Sequence, residues 1–296
     1  MKDSNAQAPG ALLLHFQALL CAIQFMTLLP VGRWLCIQDN KVVRALSVAY
    51  YPFAGLVIAA LLWLVLSVTS SLPASITATL LLIVWVAITG ALHLDGLADS
   101  SDALLGGLGN KERSLDIMKD PNAGTVAVVA LSLLLLLKFV ALLHLVNFPQ
   151  AIVAGCIIAR ASAMVFFVST NYVRQEGIGS AAADNPARQA IFISLAISLL
   201  AVVALLGLSL AIAALTVTII VAFYWRQLWI NRIGGFTGDT AGASIELCEA
   251  ALLFSCANLS PTKAPIPAEI RIAINRINVS FMIIVCNIVK VINYRV

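Results

Sequence analysis

Charged residues are scarce in this sequence. Asp, Glu, Lys and Arg make up only 11% of the 296 residues, whereas 61% are apolar and the mean hydropathy is +0.99. Soluble domains carry about 25% charged residues. A water-soluble fold of this length would lack the polar groups needed to cover its surface. We therefore expect the solvent of this protein to be lipid.

Paired cysteines and a basic stripe are also missing. The six cysteines form no Cys-x-x-Cys pair, and most lie in apolar segments, where a thiol acts as a small hydrophobic group. Lys and Arg flank apolar runs instead of alternating with aromatic residues, which argues against a nucleic-acid partner. No Ala-x-Ala site precedes the first apolar run, so we expect no cleaved signal peptide.

Apolar segments of membrane-spanning length recur along the chain, since a spanning helix needs about 20 apolar residues. Candidates lie at residues 11–30, 46–70, 74–92, 124–146, 152–170, 190–207, 208–225 and 240–257. The first contains His15, Gln17 and Gln24, so it either spans the bilayer or lies in its interface. The pattern predicts an all-α, polytopic transmembrane helix bundle with about seven or eight spans.

The loops between these segments are of two kinds. Those at 70–73, at 147–150 and around Gly207 are short and uncharged, whereas the others are longer and basic. If each segment crosses once, every basic loop falls on the same side. The positive-inside rule makes that side cytoplasmic.

The composition changes near residue 258, where Ile and Asn replace Ala and Leu. We expect residues 1–257 to form a single integral-membrane catalytic domain and residues 258–296 to form an atypical C-terminal tail. The apolar stretch at 279–289 is short for a span, which favours an amphipathic surface helix over a ninth span.

Three carboxylates directly follow the third apolar segment. Asp95, Asp99 and Asp102 are spaced i, i+4, i+7, so a helix places them on one face. Carboxylates near membrane depth usually mark a function, and oxygen-rich clusters suit Mg²⁺ bridged to substrate phosphates. The alternative is a solvated helix end that is merely acidic. His93 precedes the cluster and either donates to phosphate, orients a ligand or is structural.

A second acidic motif opens the last apolar segment. Asp239 and Glu246 are spaced i, i+7 and share a helical face, as Asp95 and Asp102 do. Both motifs are predicted on the cytoplasmic side. They could therefore converge on one metal–phosphate site, although an unrelated loop remains an alternative.

Several cations could meet the phosphates of a substrate. Arg113 and Lys119 lie just before the fourth segment, together with Asp120, which either binds metal or substrate or starts a helix. Lys138 and Arg160 lie inside predicted spans and need a carboxylate or phosphate partner. Of these two, Arg160 is the stronger candidate for binding an anionic substrate, whereas Lys138 could be a structural counter-ion.

Together these motifs resemble the cobalamin synthase family, whose activity is that of an adenosylcobinamide-GDP ribazoletransferase. The resemblance lies in His-Leu-Asp-Gly-Leu-Ala-Asp at 93–99, Asp-Ile-Met-Lys-Asp at 116–120 with Gly-Thr at 124–125, and Thr-Gly-Asp-Thr at 237–240 with Ile-Glu-Leu at 245–247. Stretches at 25–30 and 51–55 resemble the family as well. The similarity covers roughly residues 15–254.

The resemblance implies an integral enzyme of the bacterial inner membrane that needs Mg²⁺. It would join adenosylcobinamide-GDP to α-ribazole or its 5′-phosphate, release GMP and form adenosylcobalamin or its phosphate. A homo-oligomer is possible. Two features depart from the family pattern: Asp116 stands where Glu is expected, and the tail from Asn258 has no counterpart. Such a tail fits either a lineage-specific extension or an altered reading frame.

The mechanistic hypothesis is a displacement at phosphorus, which needs positioning and charge neutralisation. Asp95, Asp99 and Asp102 would hold Mg²⁺, and Asp102 could be the general base. Asp239 and Glu246 would complete the metal shell or orient the attacking hydroxyl. Phosphate oxygens would be bound by the cations Arg113, Lys119 and Arg160.

Two rival classes share some of these features. A CDP-alcohol phosphotransferase or an aromatic prenyltransferase also uses Asp-rich helix ends with Mg²⁺. The former has a longer acidic spacing, which this chain lacks beyond Asp95-Gly96 and Asp99. An ion-coupled transporter tends to place its carboxylates at midspan within inverted repeats. Here the acids cluster at one membrane face.

Overall fold

A computed structural model describes residues 10–35, 40–174, 179–184 and 186–259. The predicted surface helix at 279–289 lies outside these residues. The described helices are α1 (Ala11–Met26), α2 (Lys41–Ser47), α3 (Tyr51–Val68), α4 (Ala74–Thr89), α5 (Leu92–Gly106), α6 (Lys111–Ile117), α7 (Thr125–Leu145), α8 (Pro149–Ser169), α9 (Ser180–Asp184), α10 (Arg188–Leu206), α11 (Leu208–Ile233) and α12 (Gly238–Leu259). Short 3₁₀ turns cover Val31–Trp34 and Val48–Tyr50.

The predicted all-α, polytopic bundle is confirmed for the described part of the chain. By length and composition, six segments can cross a membrane: Lys41–Val68, Thr125–Leu145, Pro149–Ser169, Arg188–Leu206, Leu208–Ile233 and Gly238–Leu259. Helices α4 and α5 together would make a seventh, broken span. Helix α1 has only 16 residues, fewer than the usual span of about 20. The described residues therefore give six spans, one fewer than the lowest expected number, or seven, which agrees with it.

A sharp bend separates α4 from the carboxylate-bearing helix α5. The two helices meet at 86°, and the turn between them is made by Gly90 and Ala91, with φ values of 60° and 56°. Left-handed backbone ends a helix readily at glycine, whereas it is uncommon at alanine. Because of this bend, Asp95, Asp99 and Asp102 lie on a separate helix that turns away from the axis of α4.

Helices α8 and α12 form the centre of the bundle. In the most apolar 18-residue stretch of each helix, 83% of the α8 residues and 89% of the α12 residues are buried. Helix α12 packs against α5, α7, α8 and α11. Both helices are rich in Gly, Ala and Ser, which let helix backbones approach closely in membranes. At Gly96 a Cβ atom would lie 2.7 Å from the carbonyl oxygen of Asp239. The first turns of α5 and α12 are therefore in backbone contact.

The loop after α8 is joined to the loop before α12 by a short parallel bridge. Val173 donates its backbone N–H to the Phe236 carbonyl, and Phe236 donates to the Asn171 carbonyl, both at 2.9 Å. Gly235 permits this approach, because a Cβ atom there would lie 2.1 Å from the Asn171 oxygen. The bridge fixes the residues around 172–174 beside the first turn of α12.

Candidate functional site

A cavity of about 210 Å³ opens beside the first turns of α5 and α12. Its lining combines an aromatic wall with a polar end. The aromatic residues are Phe25, Tyr51, Phe167 and Tyr172, and the polar side chains are His93, Asp95, Arg174 and Asp239. The cavity therefore has one end suited to a flat apolar group and one suited to charged groups.

The polar end brings the two predicted acidic motifs together. Asp95 lies in the first turn of α5 and Asp239 in the first turn of α12, where carboxylates are favoured by the helix dipole. Asp99 lies one turn after Asp95 and is partly buried. The charges of Asp95, Asp239 and Asp102 all act on the Asp99 carboxyl. Carboxylates gathered in this way repel one another unless a cation lies among them.

Arg174 is the cation that the structure adds to this site. Its Nη2 atom lies 2.7 Å from Oδ2 of Asp239 and donates to the Met118 carbonyl at 3.3 Å. Three-quarters of its side chain is buried. The sequence did not indicate a role for Arg174, because no local pattern links residues 174 and 239. Their proximity depends on the bridge between Val173 and Phe236.

The aromatic wall is a second feature that the sequence did not reveal. Phe25 stacks on Tyr51 with ring centroids 6.0 Å apart, and Tyr51 meets Phe167 edge-on at 6.2 Å. Tyr172 also lines the cavity, and burial raises the pKa of its phenol, although Arg174 opposes this effect. The Tyr172 hydroxyl therefore stays protonated near neutral pH and can donate a hydrogen bond.

Asp102 performs a structural task at the start of α7. Its Oδ2 accepts the backbone N–H of Gly124 at 2.6 Å, and its Oδ1 accepts that of Ala127 at 2.9 Å. The first N–H groups of a helix lack partners within the helix, so a carboxylate there stabilises it. Both oxygens of Asp102 are thus engaged with α7. Its role as a metal ligand or general base stays a prediction.

Four charged side chains meet in the bundle interior. Lys138 lies 2.5 Å from carboxylate oxygens of both Glu246 and Glu249, and Arg160 pairs with the other oxygen of Glu249. The prediction that Lys138 and Arg160 need carboxylate or phosphate partners is confirmed. The sequence patterns considered above did not include Glu249. A carboxylate three residues after Glu246 in an apolar helix could have indicated a functional or paired charge.

Two predicted site residues, Glu246 and Arg160, belong to this ion-pair network. Glu246 is seven residues from Asp239, which is about 10 Å along a helix, and it does not line the cavity. Arg160 is completely buried and has a protein carboxylate as its partner. The contribution of either side chain to substrate binding stays a prediction, and in this structure both stabilise the interior.

The remaining predicted residues lie on the surface near α6. Arg113, Lys119 and Asp120 are exposed and do not line the cavity. Asp120 accepts hydrogen bonds from the backbone and side-chain nitrogens of Asn122, at 2.9 and 2.8 Å. These bonds lower the pKa of Asp120. The structure thus shows a local turn at Asp120, and its predicted metal or substrate role is untested.

The carboxylates at the cavity fit one kind of metal site. Within the described ranges, no three His, Cys, Asp or Glu side chains are arranged as a ready ligand group. Mg²⁺, however, commonly uses one or two carboxylates together with waters and substrate phosphates. Asp95, Asp99 and Asp239 can supply carboxylates of that kind. Their oxygen chemistry fits a metal that is completed by the substrate.

Comparison with known proteins identifies the family. The family model described as cobalamin-5-phosphate synthase matches residues 18–257. The chain belongs to this family. An adenosylcobinamide-GDP ribazoletransferase of Pseudomonas fluorescens (strain Pf0-1) is 43% identical over 238 residues, covering 80% of this chain and 97% of that protein. One from Stutzerimonas stutzeri (strain A1501) is 44% identical over 241 residues, covering 81% and 97%.

The family resemblance found in the motifs is thereby confirmed. The match spans both acidic motifs and ends within α12. No solved structure matches this chain. The geometry of the cavity therefore has to be interpreted from the residues of this protein.

Proposed function

We propose that this protein is an adenosylcobinamide-GDP ribazoletransferase that acts in the last steps of cobalamin assembly. Its family and its relatives of that name, 43–44% identical over almost their full length, support the proposal. The observation that carries it is the convergence of Asp95, Asp99 and Asp239 beside one cavity. A site that gathers carboxylates beside a cavity suits metal-assisted phosphoryl transfer.

The reaction is a displacement at phosphorus. A hydroxyl oxygen of α-ribazole, or of its 5′-phosphate, forms a bond to the phosphorus that carries the adenosylcobinamide group. The bond from that phosphorus to the bridging oxygen breaks, GMP leaves with the electron pair, and the hydroxyl loses its proton. Such transfers depend mainly on positioning and on neutralising charge.

Four charged side chains at or beside the cavity have a task in this proposal: Asp95, Asp99, Asp239 and Arg174. Asp95, Asp99 and Asp239 would hold Mg²⁺, which when bound neutralises charge on the pyrophosphate. Arg174 keeps Asp239 in place and offers its remaining N–H groups to phosphate oxygens. A free oxygen of one of these carboxylates accepts the hydroxyl proton.

The inner membrane, with the cavity facing the cytoplasm, is the proposed location. Arg174, Met118 and Asp239 meet at one end of the bundle, where the loops after α6, after α8 and before α12 come together. Those loops include basic ones that the positive-inside rule assigns to the cytoplasm. A cytoplasmic cavity is also open to a nucleotide-linked substrate.

Release of GMP tests the proposed function directly. Purified protein in lipid nanodiscs should release GMP, with one corrinoid product per GMP, when given adenosylcobinamide-GDP, α-ribazole and Mg²⁺. Asp99→Asn should lower the rate roughly a hundredfold to a thousandfold, because a charge at the reacting phosphates is lost. Glu112→Gln, an exposed carboxylate of α6, is the matched control and should keep the rate. Absence of GMP with every divalent metal would overturn the proposal.

A further inference from the structure

Among the described residues, the buried imidazole of His93 has no hydrogen-bond partner. It lies in the first turn of α5, is 3% exposed and lines the cavity. Neither Nδ1 nor Nε2 has a hydrogen-bond partner in the part of the chain that the structure describes. A buried polar group left unsatisfied costs about 1–3 kcal/mol. His93 lines the cavity, so an occupant of the cavity can supply the partner that the described residues do not.

The surroundings of His93 restrict what that occupant can be. Phe25, Tyr51 and Phe167 provide aromatic faces, while Ala163 of α8 and Ile245 of α12 complete an apolar lining. Aromatic walls favour a flat ring system through stacked and edge-on contacts. The apolar part of the cavity therefore accepts a planar group that needs very few hydrogen bonds.

We propose that this cavity binds the benzimidazole base of α-ribazole and that His93 donates a hydrogen bond to its free ring nitrogen. The proposal rests on the proposed function. A glycosylated benzimidazole is flat and apolar and has one acceptor nitrogen and no N–H donor, which matches a single imidazole donor. Asp95 and Asp239 line the other end of the same cavity. The ribose of a base held at His93 extends towards these carboxylates.

The guanine of the leaving group fits this cavity less well. Guanine has several donors and acceptors on its edges, and each would need a partner once buried. The aromatic end offers His93 and the hydroxyls of Tyr51 and Tyr172, fewer groups than the edges of guanine require, and the Asp239 carboxylate is paired with Arg174 at the polar end. The low hydrogen-bonding demand of benzimidazole therefore favours it, and guanine is an outcome of the test.

The test compares α-ribazole with an analogue that lacks the acceptor. In the matching α-indole nucleoside, a C–H group replaces the free ring nitrogen. Wild-type protein should use α-ribazole roughly tenfold better in kcat/KM, as expected for one buried hydrogen bond. His93→Leu should lose this preference, mainly through a higher KM for α-ribazole, and the KM for adenosylcobinamide-GDP should stay within about twofold. His93→Gln keeps an N–H donor and should keep part of the preference.

Two further variants test the cavity by its shape. Ala163→Leu places a larger side chain in the cavity and should raise the KM for both nucleosides. Ala161→Leu, on the same helix, faces a separate groove between α8, α10 and α11 and should leave both unchanged. Thermal unfolding of each variant shows whether it is folded. An effect of Ala161→Leu equal to that of Ala163→Leu would contradict the assignment.

Other outcomes separate this proposal from the proposed function. If His93→Leu keeps the preference for α-ribazole, or raises only the KM for adenosylcobinamide-GDP, the base does not bind at His93. If wild-type protein releases no GMP, the proposed function fails. Titration calorimetry with α-ribazole and the indole analogue then tests nucleoside binding in the cavity independently of catalysis. Equal affinity for the two nucleosides, or no binding of either, would overturn the assignment.

Discussion

Arg174 lies in the loop after α8, with its guanidinium 2.7 Å from the Asp239 carboxylate. It is the cation at the polar end of the cavity, where the substrate pyrophosphate would bind. Arginine binds phosphate and carboxylate in a fixed, forked geometry that lysine does not reproduce. The site thus combines acidic side chains from two helices with one partly buried arginine.

Loss of Arg174 should therefore impair the transfer itself. We predict that Arg174→Gln lowers kcat/KM for GMP release by about a hundredfold, because phosphate binding and the position of Asp239 are both affected. Arg174→Lys should recover only a small part of this loss. Steady-state rates of GMP release measure both effects.

Arg226 offers a matched control for this prediction. It also contacts the end of α8, through Ser169 and Thr170, but it does not line the cavity. Arg226→Gln should keep the wild-type kcat/KM within about threefold. Equal losses in the two arginine variants would show that Arg174 acts only by holding the loop.

Substitutions at Asp102 show whether its carboxylate is structural or catalytic. Its two oxygens accept the N–H groups of Gly124 and Ala127, and an asparagine amide keeps one of these two acceptors. We predict that Asp102→Asn keeps GMP release within about tenfold of wild type. Asp102→Ala should lower the free energy of unfolding by about 1 kcal/mol through the lost cap. A loss with Asp102→Asn as large as that with Asp99→Asn would restore its predicted catalytic role.

Residue spacing predicted part of the candidate site. The i, i+4 spacing of Asp95 and Asp99 correctly placed both carboxylates on one helix. Spacing also grouped Asp239 with Glu246, although two helical turns separate them and only Asp239 lines the cavity. A shared helical face says nothing about depth along the helix. The pairing of residue 174 with residue 239 depends on loops that meet only in the folded chain.

Helices α7, α8 and α12 are joined by their buried charges. Lys138 of α7 and Arg160 of α8 share the Glu249 carboxylate of α12, and Lys138 also pairs with Glu246. The two positive charges match the two negative ones, which keeps the cost of burial low. Removing one partner leaves an uncompensated charge in the interior.

Glu249→Gln should for this reason be strongly destabilising. We predict a loss of roughly 3–5 kcal/mol in the free energy of unfolding, because Arg160 loses its carboxylate partner. Thermal unfolding of the purified protein should show a lower Tm. Combining Glu249→Gln with Arg160→Met removes one charge of each sign and should recover part of the loss. A Tm unchanged by Glu249→Gln would contradict the network.

Hydropathy predicted the helices better than their directions. The segments at 124–146 and 152–170 agree with α7 and α8 to within a few residues. The 86° bend between α4 and α5 was not predicted, because Gly90 and Ala91 lie within a continuous apolar and small-residue stretch. Helix α11 also continues to Ile233, beyond the predicted end at 225, since Arg232 is buried against the Leu104 carbonyl.

Charged side chains that carry the fold and those that form the candidate site lie in two different regions of the molecule. In the interior of the bundle, cations and anions neutralise one another and stabilise the packing of α7, α8 and α12. At the cavity, carboxylates from α5 and α12 gather with a single neighbouring cation identified among the described residues, Arg174. The excess negative charge there favours a bound metal ion, which in turn can bind a phosphate.

In the proposed function, α5 and α12 share one metal–phosphate site. Its most direct test is the Mg²⁺ concentration that gives half-maximal GMP release, measured for wild type, Asp99→Asn and Asp239→Asn. Either substitution, one on each helix, should raise this concentration by roughly tenfold or more, since each removes a carboxylate from the metal. A wild-type Mg²⁺ requirement in Asp239→Asn, with only Asp99→Asn affected, would contradict it.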